Sequence, residues 1–162
     1  MKKILVWLVL ALSLAGCGGA EVFETVGDEM VQSVMAEPRE IRLTLPEEAV
    51  LPAMETDNGT IYICQNYDVS IQTLESGDLE GTIRSVSGFD LEDLTIMETS
   101  LTEADCYEFV WTSAGEWKEQ VCRCMILDDG NYHYILTAMI DSDLIGEYQE
   151  IWNGMFESFG LA

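Results

Sequence analysis

Four cysteines in the body of the chain could do chemistry: Cys64, Cys106, Cys122 and Cys124. In an exported protein an even number of cysteines permits disulfide bonds, and two bonds among four residues allow three connectivities. Cys122 and Cys124 are two residues apart, so on a strand their side chains point to the same face. We expect them to be small core residues or partners of cysteines on other strands, and not to bond to each other. Together with Cys106 they could also bind a soft metal ion.

The pairing of two neighbouring strands decides which cysteines can meet. A tight turn at 113–116 would pair the strands on either side of it. Such a hairpin brings Cys106 midway between Cys122 and Cys124 or, after a shift of one residue, directly opposite one of them. Directly opposed residues have Cβ atoms about 4.5–5.5 Å apart, which is close to what a disulfide needs. If a disulfide forms, the sequence therefore predicts that it joins Cys106 to Cys122 or Cys124, with Cys64 free or paired with the remaining cysteine. The alternative is that all four are buried thiols packed as small apolar residues.

The chain has a single histidine, His133, which lies on a predicted central strand. A lone histidine there is typical of a packed or hydrogen-bonded residue. There is no second histidine to complete a common zinc site, and neither a GxSxG nor an HExxH motif is present. No catalytic residue, cofactor or metal site is therefore predicted, although the members of a Ser-His-Asp triad need not be close in the chain.

The beginning of the chain follows the order of a secretory signal. Lys2 and Lys3 precede an apolar run from Ile4 to Ala15, which is interrupted only by Ser13. Twelve residues are too few to span about 30 Å of hydrocarbon as a helix. A charged start, an apolar run and small residues before a cleavage point together indicate a signal peptide.

The end of this signal, Leu14-Ala15-Gly16-Cys17, resembles the lipobox of bacterial lipoproteins. The resemblance implies that cleavage falls before Cys17 and that Cys17 carries a thioether-linked diacylglycerol. We therefore expect a lipoprotein signal peptide at 1–16, a lipidated cysteine and tether at 17–38, and a single domain at 39–162. The mature protein would be anchored to the extracytoplasmic face of the cell membrane. The alternative is an ordinary signal peptide with an incidental cysteine.

The net charge of the chain limits the classes of partner that it can bind. Its formal net charge is −23, with 30 acidic side chains against seven basic ones. An acidic surface repels phosphate backbones, so nucleic acid is a poor partner. A polybasic contact with anionic lipid is equally disfavoured, which leaves membrane contact to the lipid on Cys17. Solubility explains the acidity most simply; attraction of cations or of a basic partner is the alternative.

Alternating apolar residues predict six or seven strands. They lie over 41–45, 60–64, 69–73, 94–99, 105–112, 120–127 and 132–140. Both faces of the 132–140 strand are largely apolar, with Leu136 on one face and Ile135 on the other. A strand buried on both sides belongs at the centre of a sheet that is covered on both faces.

Two helices are predicted to cover that sheet. Ser76 is a candidate N-cap for a helix that ends at Gly88. The second helix follows Asp141 and carries a wide apolar stripe that includes Trp152.

The C-terminal half resembles the Mog1/PsbP/DcrB type of α/β/α sandwich, an α+β fold in which helices pack on an antiparallel sheet. This resemblance is carried by a three-strand meander that leads into an aromatic amphipathic helix at the C-terminus. More narrowly, the whole chain resembles small uncharacterised lipoproteins of Gram-positive bacteria, by pattern over residues 128–134 and 151–159. The resemblance implies a fold for residues 39–162 and brings no catalytic residue.

These observations favour a lipid-anchored, non-enzymatic extracytoplasmic domain that binds an envelope component or a protein partner. Two other classes stay open. One is a small hydrolase or metal-dependent enzyme with a nonstandard site. The other is a cation- or solute-binding lipoprotein, although classical solute-binding lipoproteins have two lobes and this chain is too short for them. A deep pocket with convergent polar groups would favour the enzyme.

Overall fold

The structure, a computed structural model, describes residues 36–115 and 118–162. The predicted signal peptide at 1–16, Cys17 and most of the predicted tether lie outside the described residues. No helix in the described part of the chain is long and apolar enough to cross a membrane.

Seven antiparallel strands form the main sheet, as the sequence predicts. Their spatial order is β2-β3-β4-β8-β7-β6-β5. The strands are β2 (Met54–Thr56), β3 (Gly59–Ile63), β4 (Tyr67–Glu75), β5 (Ile96–Ser100), β6 (Asp105–Ala114), β7 (Glu119–Asp128) and β8 (Tyr132–Asp141). A second sheet of two strands pairs β1 (Ile41–Arg42) with β9 (Gly160–Leu161).

Strand β8 lies at the centre of the main sheet, between β4 and β7. Tyr134 and Leu136 are buried on one face, while His133 and Ile135 are buried on the other. This two-sided burial confirms the position that the apolar pattern of β8 predicts.

Helix α2 (Ile145–Ser158) covers one face of the sheet. Its apolar stripe places Trp152, Met155 and Phe156 in the same core cluster as Tyr134 and Leu136. A short 3₁₀ helix, Ser142–Leu144, leads into it from β8. The two-stranded sheet adds Leu161 to this core cluster.

Helix α1 (Leu79–Ser87) covers the other face. Its buried residue Ile83 packs with Phe109, Ile126 and Ile135, and a second 3₁₀ helix, Leu91–Asp93, follows it. The N-cap of the helix is Asp78, so the prediction of Ser76 as the N-cap is wrong.

The predicted register of the β6–β7 hairpin is also wrong. Strand β6 continues to Ala114, which pairs with Glu119, so the turn lies further along the chain than predicted. Thr112 therefore pairs with Val121, and Cys106 pairs with Leu127. Cys106 therefore lies on the α2 face of the sheet, whereas Cys122 and Cys124 lie on the α1 face. The disulfide predicted between Cys106 and either of them depended on a shorter hairpin, and in this register the sheet separates the partners.

Candidate functional site

His133 is fully buried at the end of β8 nearest to α1, with 0% of its side chain exposed. Its Nδ1 atom lies 2.9 Å from the hydroxyl of Thr82 on α1. Its Nε2 atom lies 3.3 Å from the Ser76 hydroxyl and 3.4 Å from a carboxylate oxygen of Asp128. Ser76 also donates a hydrogen bond to the other Asp128 oxygen at 3.2 Å. The histidine thus joins helix α1 to the ends of three strands.

This cluster contains serine, histidine and aspartate, but its geometry is not that of a hydrolase triad. In a triad the acid holds one ring nitrogen and the nucleophile meets the other. Here Ser76 and Asp128 contact the same nitrogen, and the imidazole has no exposed surface for a substrate to reach. The arrangement satisfies buried polar groups, which is how such groups are accommodated in protein interiors.

The four cysteines of the domain are buried free thiols. Desolvation raises the pKa of Cys124 to about 12 and that of Cys122 to about 11. Burial also raises the pKa of Cys64 and Cys106 above the ordinary value. Because the thiolate is both the nucleophile and the metal ligand, these thiols are poorly suited to either role at neutral pH. The sheet also separates Cys106 from Cys122 and Cys124, which removes the predicted soft-metal set.

A groove of about 550 Å³ runs between helix α2 and the segment that precedes β2. Residues 44–48 form one wall, residues 150–155 of α2 form the other, and Tyr67 at the start of β4 lies between them. Leu45, Pro46 and Met155 give the groove an apolar floor. Its rim carries three exposed glutamates, Glu47, Glu48 and Glu150. We call this feature the acidic groove.

Tyr67 is the unusual residue of the acidic groove. It is only 3% exposed, and its hydroxyl makes no hydrogen bond of standard geometry among the described residues, although the Cys64 thiol and the Glu48 carboxylate lie near it. Burial raises the pKa of Tyr67 far above its ordinary value, with smaller contributions from the neighbouring Cys64 thiol and Glu48 carboxylate. An unsatisfied buried polar group costs about 1–3 kcal/mol, so its presence at a groove points to a ligand.

A second groove, of about 440 Å³, lies on the other side of α2. It is lined by Trp152, whose indole N–H is also buried without a partner among the described residues. Its charged residues satisfy each other, because Arg123 donates to Glu108 at 2.7 Å and to Asn153 at 3.1 Å. The acidic groove, whose charges are unpaired within the described part of the chain, is therefore the better candidate for a binding site.

Comparison with known proteins identifies the architecture. No family profile and no curated protein matches this chain. Among solved structures, the Ran-binding protein Mog1p of Saccharomyces cerevisiae superposes with a TM-score of 0.52 at 9% identity, covering 75% of this chain and 89% of that one. The fold is Mog1/PsbP-like.

Two further structures resemble this Mog1/PsbP-like chain. LpqN, involved in cell envelope biogenesis of Mycobacterium tuberculosis, has a TM-score of 0.50 at 13% identity and covers 78% of this chain and 86% of LpqN. The cyanobacterial PsbP of Synechocystis has a TM-score of 0.47 at 8% identity, over 93% of this chain and 99% of that one. At such low identities the likeness concerns the fold alone.

The sequence alone did not point to the acidic groove of this Mog1/PsbP-like domain. Glu47 and Glu150 are about a hundred positions apart, and only the docking of α2 brings their segments together. One available signal was Gly154, a glycine in the middle of an amphipathic helix, where it costs up to about 1 kcal/mol relative to alanine. A Cβ added at Gly154 would meet nothing within 4 Å, which marks an open stretch of the groove wall.

Proposed function

We propose that this protein is a lipid-anchored, non-enzymatic binding domain on the extracytoplasmic face of a Gram-positive cell membrane. In this proposal the signal peptide at 1–16 is removed, Cys17 carries the lipid, and the acidic groove holds a protein or another component of the envelope. The observation that carries the proposal is the acidic groove with the unpartnered Tyr67 hydroxyl inside it.

The size and composition of the groove support a binding role. Its volume of about 550 Å³ falls within the range of about 300–1,000 Å³ that is usual for ligand sites. An apolar floor with a few polar groups is the usual composition of such sites. In the polar cluster that most resembles catalytic machinery, the His133 imidazole is instead fully buried.

The lipobox-like Leu14-Ala15-Gly16-Cys17 supports the membrane anchor. Two proteins of similar fold are consistent with the role: Mog1p is a Ran-binding protein, and LpqN is involved in cell envelope biogenesis. A tethered domain of this kind would hold its partner close to the membrane, where even a modest affinity is amplified by a high local concentration.

Site-specific photocrosslinking tests the binding role in the full-length, membrane-tethered chain. A photoreactive amino acid at Ile151, which is 38% exposed and lines the groove, should give one adduct of defined mass in intact cells. The matched control places the same amino acid at Met97, an exposed position on the edge strand β5. Identical adduct patterns from the two positions, or none from Ile151, would contradict the proposal.

A further inference from the structure

The rim of the acidic groove carries negative charge that no ion pair within the described residues neutralises. None of the ion pairs within residues 36–115 and 118–162 includes Glu47, Glu48 or Glu150. Four basic side chains of that part pair with acids elsewhere: Arg39, Arg84, Lys118 and Arg123. The groove therefore presents a negative potential to whatever enters it.

A single metal ion does not fit this distribution of charge. Within the described residues, no group of three or more acidic, cysteine or histidine side chains is close enough to hold one. Calcium needs six to eight oxygen ligands at about 2.3–2.6 Å. Two of the glutamates lie on the 44–48 wall and one on helix α2, and a ligand with more than one positive charge could pair with both walls.

The floor between these charges is apolar. Leu45 and Pro46 are partly buried on one wall, and Met155 is buried on the other. A small polyamine carries charge but has no bulky apolar side chain to fill a volume of about 550 Å³. A polypeptide segment with alternating basic and apolar side chains meets both requirements.

The hydroxyl of Tyr67 could form a hydrogen bond with a ligand in the groove. Its oxygen is buried, has no partner within the described chain, and belongs to a residue that lines the groove. A ligand that accepts or donates one hydrogen bond there would remove the cost of the unsatisfied group. The backbone carbonyl of a polypeptide supplies such an acceptor at every residue.

We propose that the acidic groove binds a basic segment of a partner protein, in which lysine or arginine side chains alternate with apolar ones. This inference rests on the binding role proposed above. The basic side chains face Glu47, Glu48 and Glu150, and the apolar ones pack on the floor. A peptide carbonyl accepts the Tyr67 hydroxyl hydrogen, which requires the groove to open enough on binding to expose that buried oxygen.

The probe is a blocked octapeptide in which lysine alternates with leucine, titrated by fluorescence anisotropy against the full-length protein in detergent. Two matched peptides carry glutamate in place of lysine or serine in place of leucine. Only the first peptide should bind, and its affinity should fall as salt is raised because the charges on the rim are solvent-exposed.

Charge variants separate the groove from the general acidity of the protein. Replacing Glu47, Glu48 and Glu150 by glutamine should weaken binding about tenfold, since exposed ion pairs contribute about 0.2–1 kcal/mol each. The matched control makes the same change in net charge at three exposed glutamates outside the groove. These control residues are Glu92, Glu98 and Glu119.

Two glycines of helix α2 provide a steric test. A Cβ added at Gly154 or at Gly146 meets nothing within 4 Å, so both positions tolerate a side chain, but only Gly154 lines the groove. Gly154→Leu should abolish peptide binding, whereas Gly146→Leu should leave it unchanged.

The outcomes distinguish this inference from the binding role itself. Equal weakening by both glutamine triples would show non-specific attraction and overturn the inference. The same holds for a peptide that does not bind, or that is displaced equally well by spermidine or Ca²⁺ at matched ionic strength. If the Ile151 crosslink forms but the groove triple has no effect on the peptide, the binding role stands and the basic partner does not.

Discussion

At the scale of single residues, His133 stabilises the domain through hydrogen bonds with the hydroxyls of Thr82 and Ser76, beside the Asp128 carboxylate. Thr82→Val removes the hydroxyl 2.9 Å from Nδ1 and leaves that nitrogen buried without its partner. The free energy of unfolding in urea should fall by about 1–3 kcal/mol. Thr99→Val, at an exposed position of β5, is the control and should change it by no more than about 0.5 kcal/mol. Equal effects of the two variants would mean that the Thr82 contact contributes nothing.

The buried thiols make a second prediction at this scale. With pKa values raised by desolvation, Cys122 and Cys124 are almost entirely protonated at pH 8. They should not react with iodoacetamide in the native protein, because the thiolate is the reactive form. Unfolding of a Cys17→Ser protein in urea without reductant should expose four alkylatable thiols, counted by mass spectrometry. A disulfide-linked peptide in the unreduced digest would contradict the prediction.

Tyr67 and Tyr148 form a matched pair whose hydroxyls differ in environment. Their rings lie 5.4 Å apart, but Tyr148 accepts a hydrogen bond from Asn66 while the Tyr67 hydroxyl has no partner in the described chain. Tyr67→Phe should therefore leave the unfolding free energy unchanged or raise it. Tyr148→Phe should lower it by about 0.5–1.5 kcal/mol. A large loss from Tyr67→Phe would show that its hydroxyl has a structural role.

At the scale of elements, helix α2 is attached to the sheet through a buried apolar stripe that includes Trp152, which is only 4% exposed. Trp152→Ala leaves a cavity in that core and should cost about 3–5 kcal/mol, a large share of the about 5–15 kcal/mol typical of a domain. The neighbouring Ile151→Ala is the control, since Ile151 is exposed and should lose far less. Thermal unfolding of both variants makes the comparison, and a shift of only a degree or two for Trp152→Ala would mean that α2 does not dock by this face.

Strands and helices with strong apolar patterns could be predicted from the sequence, whereas the residue-by-residue pairing of neighbouring strands could not. The central position of β8 follows from apolar residues on both of its faces, and helix α2 follows from its stripe. The β6–β7 register depends on where the turn begins, and polar residues at 113–116 allowed a shorter hairpin than the one observed. Strands β2 and β9 have three and two residues, which is too short for any alternation to be recognised.

The acidic groove was beyond sequence reasoning for a related reason. It is a product of packing, because residues 44–48 and α2 meet only after both have docked on the sheet. The role of Ser76 could not be predicted for the same reason. A serine before a helix is typical of an N-cap, but the Ser76 hydroxyl contacts His133 and Asp128 instead. Those two residues are distant in sequence and reach Ser76 only because the ends of their strands meet in the folded sheet.

At the scale of the whole molecule, the acidic side chains far outnumber the basic side chains that could neutralise them. Within the described residues most basic side chains are already paired, which leaves many carboxylates without a counter-ion. Such a surface attracts cationic partners over a distance of about one Debye length, roughly 8 Å at physiological salt. A membrane anchor would add to this effect by confining the search for a partner to the membrane surface.

The proposed lipid anchor on Cys17 leads to the last prediction. If Cys17 carries a diacylglycerol, its two acyl chains give stable membrane attachment, which a single chain does not. Cys17→Ser should abolish incorporation of labelled palmitate and leave the protein uncleaved or released from the membrane. Cys64→Ser, which removes a buried thiol of the domain, is the control and should be labelled like the wild type. Label in the Cys17→Ser protein would show that the lipid is attached elsewhere, and absence of label in the wild type would mean that 1–16 is an ordinary signal.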